Sequence, residues 1–199
     1  MGVGPDLIKF FNKSLALTLG DIRGRRMAEL GDQKLWEAMQ LTANGERVWF
    51  KDYAEARGCH HYSIDIHGQN GSHPLDLSKS IEDKFWHNNF DIVTNFGTAE
   101  HVEDQYECWR NIHNLGRPGC VYIHALPEYG RYRPYHCEYF FRSDFFTQMC
   151  KANKYTLLIN ESIETLGHIG ACYIKPALGE FPSAKDANFM SCIKGPPNA

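Results

Sequence analysis

An α/β fold is what this 199-residue chain predicts, and three observations predict it. Apolar strand-like runs alternate with amphipathic helical stretches from about residue 26 onward, the pattern of a parallel sheet with crossover helices. Two further strand-like runs close the chain in quick succession, as an antiparallel hairpin does. The stretch Phe90-Asp91-Ile92-Val93-Thr94-Asn95-Phe96-Gly97-Thr98-Ala99-Glu100-His101-Val102 then reads as an apolar strand, a glycine turn and the acidic-histidine start of a helix. That junction is where an open α/β sheet presents its ligand site.

Taken in order, Asp6 to Leu19 carries apolar residues at helical spacing and predicts a helix ending near Gly20, with Arg26 to Leu30 a short strand after it. Gln33 to Gly58 predicts two helical pieces broken at Asn44-Gly45, the second from Val48. Tyr62 to Ile66 alternates as a strand, and Leu75-Asp76-Leu77 is a further extended piece with Ser78 or Ser80 available to cap the next segment. Ile92 to Phe96 is the next strand, Val102 to Leu115 a helix, and Val121 to Leu126 a strand. A helix over Arg142 to Ala152 is expected with Ser143 as its N-cap, followed by strands at Tyr155 to Asn160 and Gly170 to Lys175.

Composition narrows the function classes. Hydrophobic residues at 43% and charged residues at 23% fit a soluble globular protein with one well-filled core. No apolar run is long enough for a membrane span, and the N-terminus lacks the basic-then-hydrophobic order of a secretory signal, so a cytoplasmic location is expected. The formal charge of −3 comes from 21 basic and 24 acidic side chains that are intermixed, which disfavours a long polyanion such as nucleic acid. Seven cysteines stand singly, with no Cys-x-x-Cys pair, and signal neither a disulfide framework nor a zinc knuckle. Histidines are frequent, yet the adjacent His60 and His61 would point to opposite faces of a strand, and no tight ligand spacing joins His67 and His73. No metal is expected.

The order of short motifs is the strongest functional signal. Ala28-Glu29-Leu30-Gly31, Ser63-Ile64-Asp65-Ile66, Pro74-Leu75-Asp76-Leu77, the Phe90 to Val102 stretch, the Gly-Arg-Pro-Gly turn at Gly116 to Gly119 and Phe141-Arg142-Ser143-Asp144-Phe145-Phe146 follow one another in register. In that order the chain resembles the class I S-adenosylmethionine-dependent methyltransferases over about Arg26 to Lys175. The resemblance implies a three-layer Rossmann-like sandwich with a seven-stranded, mostly parallel sheet ending in the antiparallel hairpin. It implies one domain over residues 1–199, residues 1–22 forming a helical cap and 127–140 an acceptor-side loop. Two departures mark a variant of the pattern: the first motif has a single glycine, and Gly31 lies farther from Asp65 than the roughly 20 residues usual for such a fingerprint. The helix from Val48 accounts for the excess.

Under the resemblance S-adenosyl-L-methionine is the cofactor, held by Glu29, Gly31, Gln33, Asp65, Ile66, Asp76, Leu77, Asn95, Phe96 and Gly97. Asp65 suits the two vicinal ribose hydroxyls, although a turn-capping aspartate has the same appearance in sequence. Asp76 would accept from the adenine amino group or cap a helix. Glu29 would help position the cofactor's ammonium group. Phe96 reads equally as cofactor floor and as core. His101 is the first candidate base, with Glu100 as its orienter or a cofactor contact, and His136 is a further catalytic candidate. Glu100-His101 also fits an ordinary first helical turn. Tyr129, Arg131, Tyr132, Arg133 and Tyr135 suit an aromatic or anionic small-molecule acceptor, or a surface loop packed on the sheet edge. Other S-adenosylmethionine chemistry and a non-catalytic scaffold are the rival readings, a homodimer is left open, and a nicotinamide dehydrogenase is disfavoured by the missing Gly-x-Gly-x-x-Gly.

Overall fold

A computed structural model describes residues 2–36, 49–132, 137–177 and 179–195. In chain order the elements are β1 (Gly2–Val3), α1 (Pro5–Ala16), β2 (Arg26–Leu30), β3 (Lys34–Leu35), α2 (Phe50–Glu55), β4 (His60–Ile64), β5 (Phe90–Phe96), α3 (Gln105–Leu115), β6 (Gly116–Pro127), β7 (Phe140–Phe141), α4 (Phe145–Asn153), β8 (Thr156–Ile163), β9 (His168–Ile174) and β10 (Ile193–Lys194). The main sheet has six strands in the order β4-β2-β5-β6-β9-β8. Its first three pairings are parallel and its last two antiparallel, so the sheet is mixed and ends in the expected hairpin.

The seventh strand expected at Leu75 to Leu77 does not form. His73 makes an isolated parallel bridge to Ile64 beside the edge strand β4, and pairing stops there. Pro74 has no N–H to give to a ladder, and the Leu75 N–H turns back to the His73 carbonyl at 2.9 Å.

Strand alternation explains the layers. Met27, Ile92, Phe96 and Ile123 face one side with Leu7, Phe10 and Phe11 of α1 and Phe50 of α2. Ala28, Val93 and Tyr122 face the other with Trp109 and Ile112 of α3 and Phe145, Phe146 and Met149 of α4. All seven residues of β5 are buried, as a strand covered on both faces requires. Proline at N1 and Asp6 in the first turn suit the start of α1, whose Leu7, Ile8, Phe10, Phe11 and Leu15 form the buried stripe.

Several expected boundaries shift, among them the strand read at Tyr62 to Ile66, which runs His60–Ile64, and the one read at Val121 to Leu126, which starts at Gly116 and takes in the Gly-Arg-Pro-Gly turn. The helix expected from Val102 begins at Gln105, because the Asp104 carboxylate accepts the Glu107 N–H at 2.9 Å and Val102 is extended. Glu100 and His101 instead occupy a 3-10 turn, Ala99–His101. The helix expected from Arg142 begins at Phe145 after Asp144, and Ser143 does not cap it. Of the first helical piece expected after Gln33, Lys34 and Leu35 pair with Gly2 and Val3 as β3, and most of its remainder lies outside the described residues. All seven cysteines are buried thiols. No helix among the described residues is long and apolar enough to cross a membrane.

Candidate functional site

At the carboxyl ends of β2, β4 and β5 the chain opens into a cleft of about 560 Å³, walled by 31–33, 64–67, 75–78, 97–98 and 101–103. Parallel neighbours make this possible, since each strand delivers its following loop to the same edge of the sheet. Gly31 follows β2 in a left-handed conformation (φ 81°) and donates its N–H to the Ile64 carbonyl at 2.7 Å, locking the β2 turn to the end of β4. A Cβ at Gly31 would collide with Thr98 Oγ1 and the Gln33 amide, so only glycine fits. Gly97 makes the corresponding turn after β5 with φ 85°.

Asp65 stands at the end of β4 and lines the cleft. Its Oδ1 accepts the His67 N–H at 2.9 Å, which fixes the turn and leaves Oδ2 without a hydrogen bond from the described residues. Next to it Ile66 is 61% exposed, an apolar side chain held open at the cleft wall. Across the cleft, Asp76 accepts from the Ser78 N–H and hydroxyl on Oδ1, while Lys79 approaches Oδ2 at 2.9 Å. The Ser78 hydroxyl bond, with Lys79 and the Ser78 N–H, lowers the Asp76 carboxyl to about 2. Leu77 and Gln33 also line the cleft, and the Gln33 amide donates to Thr98 Oγ1 at 3.4 Å.

Three residues expected at the cofactor, Asn95 and Phe96 on its floor and Glu29 beneath it, are buried below the residues that line the cleft. Asn95 is fully buried, and its Oδ1 accepts the Thr98 and Ala99 N–H groups at 3.3 and 3.2 Å, so it shapes the turn that walls the cleft. Phe96 belongs to the core, with Phe11 and Phe50 edge-on to its ring. Glu29 is buried beside His61, whose Nε2 lies 3.0 Å from its carboxylate. Burial holds the Glu29 carboxyl well above its ordinary range, with Asp32 adding to the effect, and burial lowers His61 to about 4.

Of the acid-base candidates, His101 reaches the cleft wall. Its Nδ1 lies 3.1 Å from the Glu138 carboxylate, whereas its Nε2 is 4.0 Å from Glu100, beyond hydrogen-bonding range. Glu138, and not Glu100, is therefore the carboxylate that holds the ring. Glu100 is completely buried. The acceptor residues expected at 129–135 do not line the cleft where they are described: Arg131 is ion-paired with Glu164 at 2.6 Å, Tyr132 is buried against His168 and Phe140, and Tyr129 extends into solvent. Arg133, Tyr135 and His136 lie outside the described residues.

Sequence reasoning missed Thr98, whose hydroxyl donates to the Leu30 carbonyl at 2.8 Å and ties the β5 turn to β2, and it missed Ser78 and Glu103 on the opposite wall. For Thr98 the available signal was its place directly after the strand-end glycine.

No protein-family model matches the sequence, and no curated protein does. Solved structures match its fold. The 1,6-didemethyltoxoflavin-N1-methyltransferase of Burkholderia thailandensis, solved with 1,6-didemethyltoxoflavin and S-adenosylhomocysteine, superposes with a TM-score of 0.55 at 13% identity over 84% of this chain and 78% of its own. An S-adenosylmethionine-dependent methyltransferase from Mesorhizobium loti gives 0.53 at 14% identity, over 82% and 96%. The 4+2 cyclase SpnF gives 0.56 at 12% identity, over 85% and 82%. The chain thus has the Rossmann-like fold in which S-adenosylmethionine-dependent methyltransferases are built.

Proposed function

We propose that the cleft at the ends of β2, β4 and β5 holds S-adenosyl-L-methionine and that the protein transfers its methyl group to a small-molecule acceptor. One observation carries this reading: loops from three adjoining parallel strands form a single cleft of about 560 Å³ with the Asp65 carboxylate in its wall. A ribose offers two vicinal hydroxyls, and Asp65 Oδ2 is clear of the turn bond that occupies Oδ1. The exposed Ile66 side chain, with Leu75 and Leu77, supplies apolar surface for the face of a base. Gly31 and Gly97 let main chain approach a ligand without side-chain obstruction. Asp76 already has Ser78 and Lys79 as partners, so contact with an adenine amino group would replace the exposed Lys79.

When bound, the cofactor supplies an electrophilic methyl group on a sulfonium. An acceptor's lone pair would take up that methyl group, with the electron pair of the broken sulfur–carbon bond left on sulfur. The protein's part is to hold the two molecules in line, and orientation of that kind supplies on the order of 7 to 11 kcal/mol in favourable cases. Asn95 and Thr98 contribute by fixing the walls.

Calorimetric titration with S-adenosylhomocysteine tests the cofactor. Saturable binding is expected in the wild type, weakened about 10- to 150-fold in Asp65→Ala, since a charge-assisted hydrogen bond contributes about 1.5 to 3 kcal/mol. Absence of binding at millimolar ligand overturns the reading. SpnF, a cyclase on the same fold, makes product identity the second test: methyl transfer yields S-adenosylhomocysteine and a methylated acceptor in equal amounts.

A further inference from the structure

The turn after β5 and the segment leading into β7 meet at a corner that the cofactor reading does not use. Glu100 and His101 come from the first and Cys137 from the second, and one ligand-type atom of each lies within 4.8 Å of the other two. Glu100 is 0% exposed, and neither of its carboxylate oxygens has a hydrogen-bond partner among the described residues. Cys137 is buried as well, at 4% exposure. A buried carboxylate without donors is costly to keep charged unless a positive charge is brought to its position.

The surroundings fit a cation of a particular kind. Glu138 lies against His101 Nδ1 at 3.1 Å, the carboxylate–histidine arrangement that directs the other ring nitrogen, Nε2, toward a metal. That nitrogen is 4.0 Å from Glu100 Oε1. One oxygen, one imidazole nitrogen and one sulfur form a borderline-soft donor set, which suits zinc and disfavours magnesium or calcium. Ligand atoms around a tetrahedral zinc stand roughly 3.3 to 3.8 Å apart, so the three groups need to close by about 1 Å.

We infer that Glu100, His101 and Cys137 form a binding site for a divalent transition-metal ion of the zinc type, with Glu138 positioning the histidine. Ion binding would tie the β5 turn to the β7 segment. Three protein donors leave a fourth position for water or another ligand. No local spacing pattern marks the site in the chain, because 35 residues separate His101 from Cys137. The site shares His101 with the wall of the cofactor cleft but does not rest on the methyltransferase reading.

Cobalt substitution tests it. The full-length protein, stripped with a chelator and titrated with Co²⁺ under reducing conditions, is expected to develop a near-ultraviolet thiolate-to-cobalt band at one equivalent, and Zn²⁺ is expected to abolish it by competition. Cys137→Ser should lose the band. Glu138→Gln should retain it with affinity lowered about 10- to 100-fold. His101→Ala, at a half-exposed position that tolerates truncation, should weaken binding at least as much and covers the case in which Cys137→Ser fails to fold. Absence of saturable cobalt binding in the folded wild type overturns the inference, and so does a band that persists undiminished in folded Cys137→Ser, which would place the thiolate elsewhere. Titrating the same samples with S-adenosylhomocysteine separates the two readings, because cobalt binding without nucleoside binding would sink only the cofactor assignment.

Discussion

In the parallel half of the sheet, β4, β2, β5 and β6 all point their carboxyl ends one way, and three of those ends supply the walls of the cleft. In the antiparallel half, β6, β9 and β8 reverse direction at each step, and what collects between them and α4 is a stack of aromatic rings. Tyr122, Tyr155 and Tyr173 stand in that stack with His124, ring centroids about 5 to 6 Å apart. Polar groups at the cleft edge, Asp65, Asp76 and Thr98, take their bonds from nearby turns and keep faces open. In the antiparallel half they are closed off: the Tyr173 hydroxyl and His124 Nε2 lie 2.9 Å apart, and His113 sits between the Tyr155 hydroxyl and the Gly179 carbonyl. Direction of pairing thus separates a region built to present groups from one built to bury them.

Substitutions can break that division, and the largest effect belongs to the buried half. Trp109 is 1% exposed and touches the rings of His124, Phe141, Phe145 and Phe146. Trp109→Ala is expected to cost about 3 to 5 kcal/mol of stability, read from urea unfolding. A loss under about 1 kcal/mol would mean that this core is not packed as described.

At the cleft edge, Gly31→Ala is expected to cost more than about 1 kcal/mol, through the positive φ and the collision with Thr98 and Gln33, and to weaken S-adenosylhomocysteine binding in calorimetry. Stability loss with unchanged nucleoside binding would detach that turn from the site.

Acid sharpens the comparison from the other side. Burial lowers His124 to about 3, and burial with Lys175 lowers His113 to about 4. Both would take up protons near 6.5 in the unfolded chain, so the unfolded state binds more protons below that value. Their contribution is therefore complete above about pH 6.5 and falls as pH drops toward 4, by roughly 1 kcal/mol per pH unit for each imidazole. Glu29, raised by burial, contributes with the opposite sign above its unfolded value near 4.5. Glu100, raised by burial to about 8, acts with Glu29, so the expected outcome is a difference in slope: between about pH 7 and pH 5 acid should lower the urea midpoint less, or raise it more, in His124→Gln than in the wild type. An unchanged slope would show that His124 is already solvated. The smallest effect is expected at the surface, where Lys13 and Glu161 pair at 2.7 Å with both side chains nearly half exposed. Lys13→Ala should cost under about 1 kcal/mol in thermal unfolding.

Much of the molecule was legible because it is written in local patterns. Arg26–Leu30 appears as read, the strand around Ile92 to Phe96 begins two residues earlier, and the terminal hairpin appears at β8 and β9, since apolar runs and glycine turns act over a few residues. Gly31, Asp65, Ile66 and Gly97 reach the cleft for the same reason: a residue just after a strand's carboxyl end needs no distant partner to arrive there.

Tertiary structure alone decided the rest. Phe96 became core because Phe11 and Phe50 cover it, and Asn95 turned under the cleft to hold the Thr98 and Ala99 amides. Arg131 found Glu164 in a turn 33 residues away, and the piece at Leu75 lost its strand when Pro74 ended the single bridge at His73. The Glu100–His101–Cys137 corner is likewise a product of packing. Propensity and periodicity fix elements because their energies are local, whereas the partner of a buried charge or an aromatic face is set by which distant segments the core brings into contact.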